Sequence, residues 1–290
     1  MKLGLHLAQQ TYPNGPAALG ADLAATARAA DEAGFGYLSV MDHFFQISRY
    51  GPPEHEMLEA YTTLGFLAAH TSQVKLLTLV SGVIYRHPGL LAKAITTLDV
   101  LSGGRAVLGL GAGWNEEEAR GLGMRYPSTK ERFEQLEDAL RYVHQMWSSD
   151  DSGFSGTHVT AERLLNVPQA LSRPHPPIMI GGGGEKKTLR FVAKYGDACN
   201  LIAGPDLEHK LSVLRAHCEA EGRDYAEITK TVALWLDTGA DGSSTGALLE
   251  ELERLSGLGV DAVLGWVPGV PDLTVIERFA TDVIPVTNKL

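Results

Sequence analysis

Short apolar segments alternate along this chain with longer segments whose apolar residues recur at helical spacing. The strand-like segments are Leu3–Leu7, Tyr37–Met41, Lys75–Val80, Ala106–Leu110, Ile178–Ile180, Ala198–Ile202, Ile228–Leu236 and Ala262–Trp266. The helix-like segments that follow them include Ala18–Ala33, Leu58–His70, Leu90–Leu101, Glu185–Lys194, Leu207–Glu221, Thr245–Leu258 and Leu273–Val283. Eight regular strand–helix units predict an α/β fold, a TIM (β/α)8 barrel, and disfavour an open doubly wound sheet.

The fourth unit combines the clearest helix of the chain with an insertion. Ser128 and Glu131 form a capping box, and an apolar stripe continues from Phe133 to Trp147. The segment Asp150–Pro177 then breaks the rhythm, because it is rich in Gly, Ser and Pro and too long for a simple connection. We predict a lid or hairpin inserted between strands four and five.

Composition narrows the classes of protein to consider. The 290 residues, 44% of them hydrophobic, suit one domain spanning residues 1–290, with the insertion at about 150–177. A net charge of −10 argues against nucleic acid or an anionic membrane as the main partner. The chain opens on a strand-like segment, and no apolar run approaches the roughly 20 residues of a membrane span. We therefore expect a cytoplasmic protein.

Metal binding has no support in the sequence. Cys199 and Cys218 are not spaced as metal ligands usually are, and we interpret them as unreactive thiols in a reducing compartment. No two histidines stand four residues apart, so no helical metal site is expected.

Active sites of such barrels lie at the C-terminal ends of the strands, so the polar residues at those positions are candidate site residues. Asp42 and His43 follow strand two and could supply a proton donor or acceptor, or form a satisfied polar pair at the rim. Arg86 and His87 follow strand three and either face a ligand or hold neighbouring loops together.

Two glycine-rich strand ends are candidates for binding an anion. After strand four, Ala112 and Gly113 precede a helix start at Asn115, and after strand five come the four glycines 181–184. Backbone N–H groups at such turns can approach a phosphate closely, because no side chain intervenes. Ordinary tight turns are the alternative at both places.

Taken together, these segments resemble the luciferase-like monooxygenase superfamily, in particular its branch dependent on the deazaflavin coenzyme F420. The resemblance covers nearly the whole chain and rests on the order and spacing of six motifs. They are Ala30-x-x-Ala33-Gly34-Phe35, Asp42-His43-Phe44, the segment Val80–Pro88, Ser102-Gly103-Gly104-Arg105, the segment Gly109–Asn115, and the segment Pro176–Gly182.

The resemblance implies a TIM barrel that carries the cofactor ring at the strand ends. It maps a non-prolyl cis peptide, which backs the ring, onto Leu79-Val80, with Ser81 following. It maps the phosphate contacts onto Ala112 and Gly113 and onto Gly181, Gly182 and Gly183. It makes His43 the candidate for proton transfer, with Asp42 beside it to orient the imidazole. The basic residues that bind sugar phosphate in the glucose-6-phosphate dehydrogenase branch have no clear match.

The resulting hypothesis is an F420-dependent oxidoreductase that transfers hydride between the coenzyme and a small organic substrate, beneath a lid formed by the insertion. An FMN-dependent monooxygenase of the same fold is the first alternative. A non-catalytic flavin-binding protein and a phosphosugar-binding barrel without flavin are the others. Aromatic residues in the loops Gln9–Asn14 and Phe44–Glu56 suggest a partly apolar substrate, and a homodimer is expected.

Overall fold

A computed structural model of the chain describes residues 1–148 and 150–290. Eight parallel strands form the centre of the molecule, and their positions match the predicted ones to within a few residues. They are β1 (Lys2–Leu7), β2 (Tyr37–Val40), β3 (Lys75–Thr78), β4 (Ala106–Gly111), β5 (Ile178–Gly181), β6 (Ala198–Ile202), β7 (Thr229–Trp235) and β8 (Ala262–Trp266).

The sheet closes on itself. β1 pairs with β2 and β8, and the circuit is completed where Leu76 and Leu77 of β3 pair with Ala106 and Val107 of β4. Closure makes the open doubly wound alternative wrong and confirms the TIM barrel. Apolar side chains fill the barrel interior, and a larger apolar layer lies between the strands and the helices around them.

The helices surround the barrel in chain order. They are α1 (Leu19–Ala33), α2 (Ala60–Ala68), α3 (Pro88–Ser102), α4 (Glu116–Gly121), α5 (Thr129–Trp147), α6 (Thr188–Tyr195), α7 (Leu207–Glu221), α8 (Thr245–Gly257), α9 (Leu273–Arg278) and α10 (Ile284–Thr287). Local sequence explains several of their ends. Gly34 ends α1 in a left-handed conformation with φ of 91°, and the predicted capping box of Ser128 and Glu131 opens α5. A π-helical turn, Phe279–Val283, separates α9 from α10, where the sequence predicts one continuous helix.

The third strand stops earlier than predicted and then resumes. β3 ends at Thr78, and a two-residue strand, Ser81–Gly82, pairs with the end of β4. The peptide bond between Leu79 and Val80 is cis, as the family resemblance predicts. The backbone therefore leaves the sheet for two residues at the mouth of the barrel.

The insertion between β4 and β5 is present, but it does not cover the mouth. A hairpin of two short strands, Phe154–Ser155 and Thr160–Ala161, packs against α5, where Asp138 accepts hydrogen bonds from the backbone N–H groups of Thr157 and His158. Further along, Asp99 of α3 accepts hydrogen bonds from the N–H groups of residues 171 and 172. The prediction of a hairpin is confirmed. The prediction of a lid is wrong, because buried carboxylates of the outer helices hold this segment against the side of the barrel.

Candidate active site

A cavity of about 480 Å3 opens at the C-terminal ends of the strands, and we call it the glycine chamber. It gathers on one surface every residue that the sequence analysis nominates for cofactor contact or proton transfer. These are Asp42, His43, Leu79, Val80, Ser81, Ala112, Gly113, Gly181, Gly182 and Gly183. Residues far apart in the sequence thus meet because the strand ends of a closed barrel share one rim.

Packing of one valine explains part of the glycine content. The Val80 side chain projects from the interrupted strand onto β4 and β5. A Cβ atom on Gly111 would lie 3.0 Å from Val80 Cγ2, and one on Gly181 would lie 2.7 Å from the same atom. Gly109 is needed for a different contact, since its Cβ would meet the backbone oxygen of Thr78. Gly181 therefore has a packing reason that is independent of any phosphate.

The other glycines after β5 differ from one another. Gly182 has φ of 120°, which L side chains rarely adopt, and a Cβ on Gly184 would lie 2.8 Å from Thr188 Oγ1. Gly183 has neither constraint, because the nearest atom to its Cβ would be Lys210 Cε at 3.9 Å. Within the described part of the chain, the N–H groups of Gly183 and Gly184 donate to no protein acceptor. These two donors border the chamber and are free to bind an anion.

The interrupted third strand presents backbone to the chamber. The Ser81 side chain turns away from it, because Ser81 Oγ lies 2.7 Å from the Tyr61 hydroxyl and 3.0 Å from Thr78 Oγ1. Burial raises the pKa of Tyr61, and so does the charge of Asp42, so this phenol remains protonated. Leu79 and Val80 form a largely apolar floor of the chamber.

His43 is held by a carboxylate that the sequence analysis overlooked. Glu118 of α4 is fully buried, and its Oε2 lies 2.7 Å from His43 Nδ1 and 2.8 Å from the Tyr85 hydroxyl. Its other oxygen accepts hydrogen bonds from the backbone N–H groups of Phe44 and Phe45. Burial alone would raise the pKa of Glu118, but the hydrogen bonds from His43, Phe44 and Tyr85 outweigh it and lower the pKa.

This arrangement determines where His43 carries its protons. An ionised carboxylate only accepts hydrogen bonds, so His43 Nδ1 must carry a hydrogen. The other ring nitrogen, Nε2, is then the atom that can take up or release a proton. Trp114 packs edge-on against the imidazole, with ring centroids 5.4 Å apart, and the pair of contacts holds the ring at the chamber wall.

Asp42 does not orient His43, contrary to expectation. Its Oδ2 lies 2.5 Å from Arg86 Nη1, and Arg86 Nη2 lies 2.5 Å from Glu59 Oε1. The guanidinium also stacks on the Tyr61 ring, 4.7 Å from its centroid. Arg86 therefore holds neighbouring loops together, which was one of its two predicted roles. His87 caps the N-terminus of α3 by accepting a hydrogen bond from the N–H of residue 89.

A second, smaller cavity of about 190 Å3 adjoins the first, and we call it the aromatic chamber. Tyr50, Trp235 and Trp266 form its wall, and His6 lies among its lining residues. The two chambers share His43, Leu79, Trp114, Asn200 and Ile202. His43 thus stands at the junction of a backbone-lined space and a side-chain-lined space.

Sequence reasoning overlooked residues for two different reasons. Glu118 is the third of three consecutive glutamates in the first turn of α4, and nothing in the local sequence distinguishes it from Glu116 or Glu117. Trp235 and Trp266 end β7 and β8, so the rule that sites lie at strand ends could have found them.

Within residues 1–148 and 150–290, no group of three or more His, Cys, Asp or Glu side chains is arranged to hold a metal ion. No helix in the same ranges has the length and apolar character needed to cross a membrane.

Two of the proteins similar to this chain in sequence are F420-dependent dehydrogenases. The F420-dependent glucose-6-phosphate dehydrogenase of Kineococcus radiotolerans is 32% identical over 251 residues, which cover 83% of this chain and 69% of that protein. The F420-dependent hydroxymycolic acid dehydrogenase of Mycobacterium tuberculosis is 30% identical over 78% of this chain and 61% of its own length.

Solved structures extend the likeness of fold. The EDTA monooxygenase of Chelativorans sp. BNC1 superposes with a TM-score of 0.82 over the whole of this chain and 94% of its own, at 14% sequence identity. The family model of luciferase-like monooxygenases matches residues 1–242, which include β1 to β7 and both glycine-rich strand ends. The chain belongs to the luciferase-like monooxygenase family.

Proposed function

We propose that this protein is an oxidoreductase that uses coenzyme F420 to transfer hydride to or from a small organic molecule. The observation that carries the proposal is the position of His43, whose ring borders both chambers. One space can hold a cofactor and the other a substrate, with a proton-transferring group between them. The F420-dependent dehydrogenases among the relatives support this choice of cofactor.

The glycine chamber fits a flat ring with a phosphorylated tail. Leu79, Val80 and the backbone of Ser81 would lie behind the ring, and Ala112, Gly113 and Gly181 to Gly183 would line the path of the tail. The free N–H groups of residues 183 and 184 suit a phosphate. The guanidinium of Arg132, whose buried Nε has no hydrogen-bond partner in the described residues, adds a positive charge to the same wall. When bound, F420 supplies two-electron hydride chemistry.

His43 supplies the proton chemistry in this proposal. In the oxidation direction its Nε2 takes the hydroxyl proton of an alcohol, and in the reduction direction it returns that proton to the oxygen. Glu118 stabilises the imidazolium that forms, because its carboxylate is buried 2.7 Å from Nδ1. Asp42 contributes indirectly by holding Arg86, and through it the loop after β3.

A fluorescence titration tests the cofactor. We expect the purified protein to bind F420 in preference to FMN, and the His43→Gln variant to retain most of that affinity while losing turnover. Tight FMN binding without a response to F420 would instead identify an FMN-dependent monooxygenase. Binding of F420 without hydride exchange to any alcohol, aldehyde or activated alkene would identify a non-catalytic carrier.

We further propose that the chain forms one domain over residues 1–290, resides in the cytoplasm and associates as a homodimer. Exposed apolar side chains on the outer face of α3, Leu90 and Leu101, support the association, with Val167 of the insertion also exposed. Light scattering at micromolar concentration distinguishes a dimer of about twice the 31.2 kDa chain mass from a monomer.

A further inference from the structure

The aromatic chamber has a wall of three rings from three separate parts of the chain. Trp235 and Trp266 meet edge to face with centroids 4.6 Å apart. Tyr50, from the loop after β2, lies nearly parallel to Trp235, with centroids 6.3 Å apart and planes inclined by 14°. Flat surfaces thus border a cavity that can accommodate a small organic molecule.

The rim of this chamber exposes large apolar side chains. Trp114 is 61% exposed, Ile202 is 70% exposed and Trp235 is 40% exposed, and all three line the chamber. Such clustering of exposed apolar surface around a cavity marks a binding site, because water is displaced when a flat ligand covers it.

The chamber contains one permanent positive charge, and it lies at the rim. Arg49 is exposed, its guanidinium carbon lies 5.6 Å from the Trp235 ring centroid, and no carboxylate among the described residues pairs with it. Deeper inside, His6 is bound through Nδ1 to Ser39 Oγ at 2.9 Å. Burial lowers the pKa of His6 to about 4, so its ring is uncharged at neutral pH.

We propose that the aromatic chamber binds a flat, conjugated molecule with a single carboxylate, whose face lies on the indoles and whose carboxylate meets Arg49. The inference rests on the proposed function, which makes this chamber the substrate site. A phosphate monoester is a poor match, because it carries a charge of about −1.5 to −2 and three acceptor oxygens. One guanidinium beside an aromatic wall leaves most of those acceptors without donors.

Calorimetric titration with three matched probes tests the proposal, in the presence of saturating F420. The probes are trans-cinnamate, its uncharged analogue trans-cinnamyl alcohol, and the non-planar acid cyclohexanecarboxylate. We expect trans-cinnamate to bind most tightly. Arg49→Gln should weaken cinnamate about three- to tenfold and leave the alcohol unchanged, because only the acid uses the charge.

The aromatic wall requires its own variant. Trp235→Leu should weaken cinnamate and cinnamyl alcohol to the same extent, by about three- to tenfold, and Trp235→Phe should restore most of the loss. Equal affinity for cinnamate and cinnamyl alcohol in the wild type would overturn the proposal that the ligand carries a carboxylate. Equal affinity for cinnamate and cyclohexanecarboxylate would overturn the proposal that the ligand is flat. Tighter binding of glucose 6-phosphate than of cinnamate would overturn both the flat shape and the carboxylate.

Failure of the proposed function gives a different result. If F420 causes no heat or fluorescence change but the three probes rank as expected, the ligand class stands and the cofactor assignment falls. If F420 binds and none of the probes does, the cofactor assignment stands and the ligand class falls.

Discussion

The two chambers at the mouth of the barrel differ in the kinds of group that line them. On the side of β3, β4 and β5, much of the wall is backbone, with seven glycines among the lining residues. On the side of β1, β7 and β8, the wall is made of large side chains, with two indoles, a phenol and an imidazole. The backbone side offers hydrogen-bond donors to an anionic group, and the side-chain side offers flat apolar surface.

The difference predicts opposite sensitivities to mutation. A surface made of backbone is disrupted when a side chain is added, because the added atoms occupy ligand space. A surface made of side chains is disrupted when one is removed, since its contacts and charges lose their partners. His43, Asp42 and Arg86 act through their side chains and are therefore tested by removal, although His43 and Asp42 border the glycine chamber.

Removal of His43 should have the largest effect. His43→Ala should lower turnover by about 10²–10⁴-fold, the usual contribution of a general acid or base. Cofactor affinity should change little, because Glu118 loses one hydrogen bond but keeps those from the Tyr85 hydroxyl and the Phe44 and Phe45 N–H groups. Steady-state kinetics with any accepted substrate, beside an F420 titration, would check this. Near-normal turnover would reduce His43 to a rim residue.

Removal of Arg86 should have the next largest effect, on stability rather than on chemistry. Arg86→Ala should lower the free energy of unfolding by about 3–5 kcal/mol, because it leaves the buried carboxylate of Asp42 without its partner. Urea unfolding measures the loss. His87→Ala is the matched control and should cost only about 1 kcal/mol, the value of a helix cap. Equal losses in the two variants would contradict the ion-pair account.

Addition of a side chain tests the backbone-built half. Gly183→Val should weaken cofactor binding by about 1–3 kcal/mol, or roughly 5- to 150-fold, since the valine enters space that the protein leaves open. The melting temperature of the free protein should hardly change. Gly182→Val is the contrasting variant and should lower that temperature, because its φ is 120°. Unchanged cofactor affinity in Gly183→Val would make these glycines an ordinary turn.

The smallest predicted effect concerns the pH dependence of stability. The pKa of His6 is about 4 in the fold and about 6.5 in the unfolded chain, which therefore binds a proton that the fold excludes. His6 therefore costs little stability above pH 6.5, and the free energy of unfolding falls as the pH drops from 6.5 toward 4. At pH 5 the cost is about 2 kcal/mol. His6→Gln should remove that part of the loss between pH 7 and pH 5 in urea titrations, and an unaltered slope would contradict it.

The sequence predicts those features that depend on interactions between residues close together in the chain. Strands, helix ends and the glycine-rich turns are encoded locally, and the capping box at Ser128 is visible in four residues. Strand-end geometry then brings distant candidates together without any knowledge of their contacts. The partner of His43 could not be predicted in this way, because Glu118 lies 75 positions away in the sequence whereas Asp42 is adjacent.

The insertion illustrates the same limit. Its composition correctly indicated irregular structure and a hairpin, but composition says nothing about where a segment docks. Asp99 and Asp138 decide that, through hydrogen bonds from backbone groups that only the folded chain brings near them. Their role could not be inferred from two acidic residues on predicted helices.

The contact of Val80 with the facing glycines has a consequence for anyone who redesigns this barrel. Val80 lies in the interruption after β3, Gly111 ends β4 and Gly181 ends β5, but the three share one volume and so behave as a single unit of substitution. A larger residue at Val80 has no room, and a side chain at either glycine needs a smaller residue at position 80. Recombination of β3 from one relative with β4 and β5 from another therefore succeeds only when this volume is conserved across the junction.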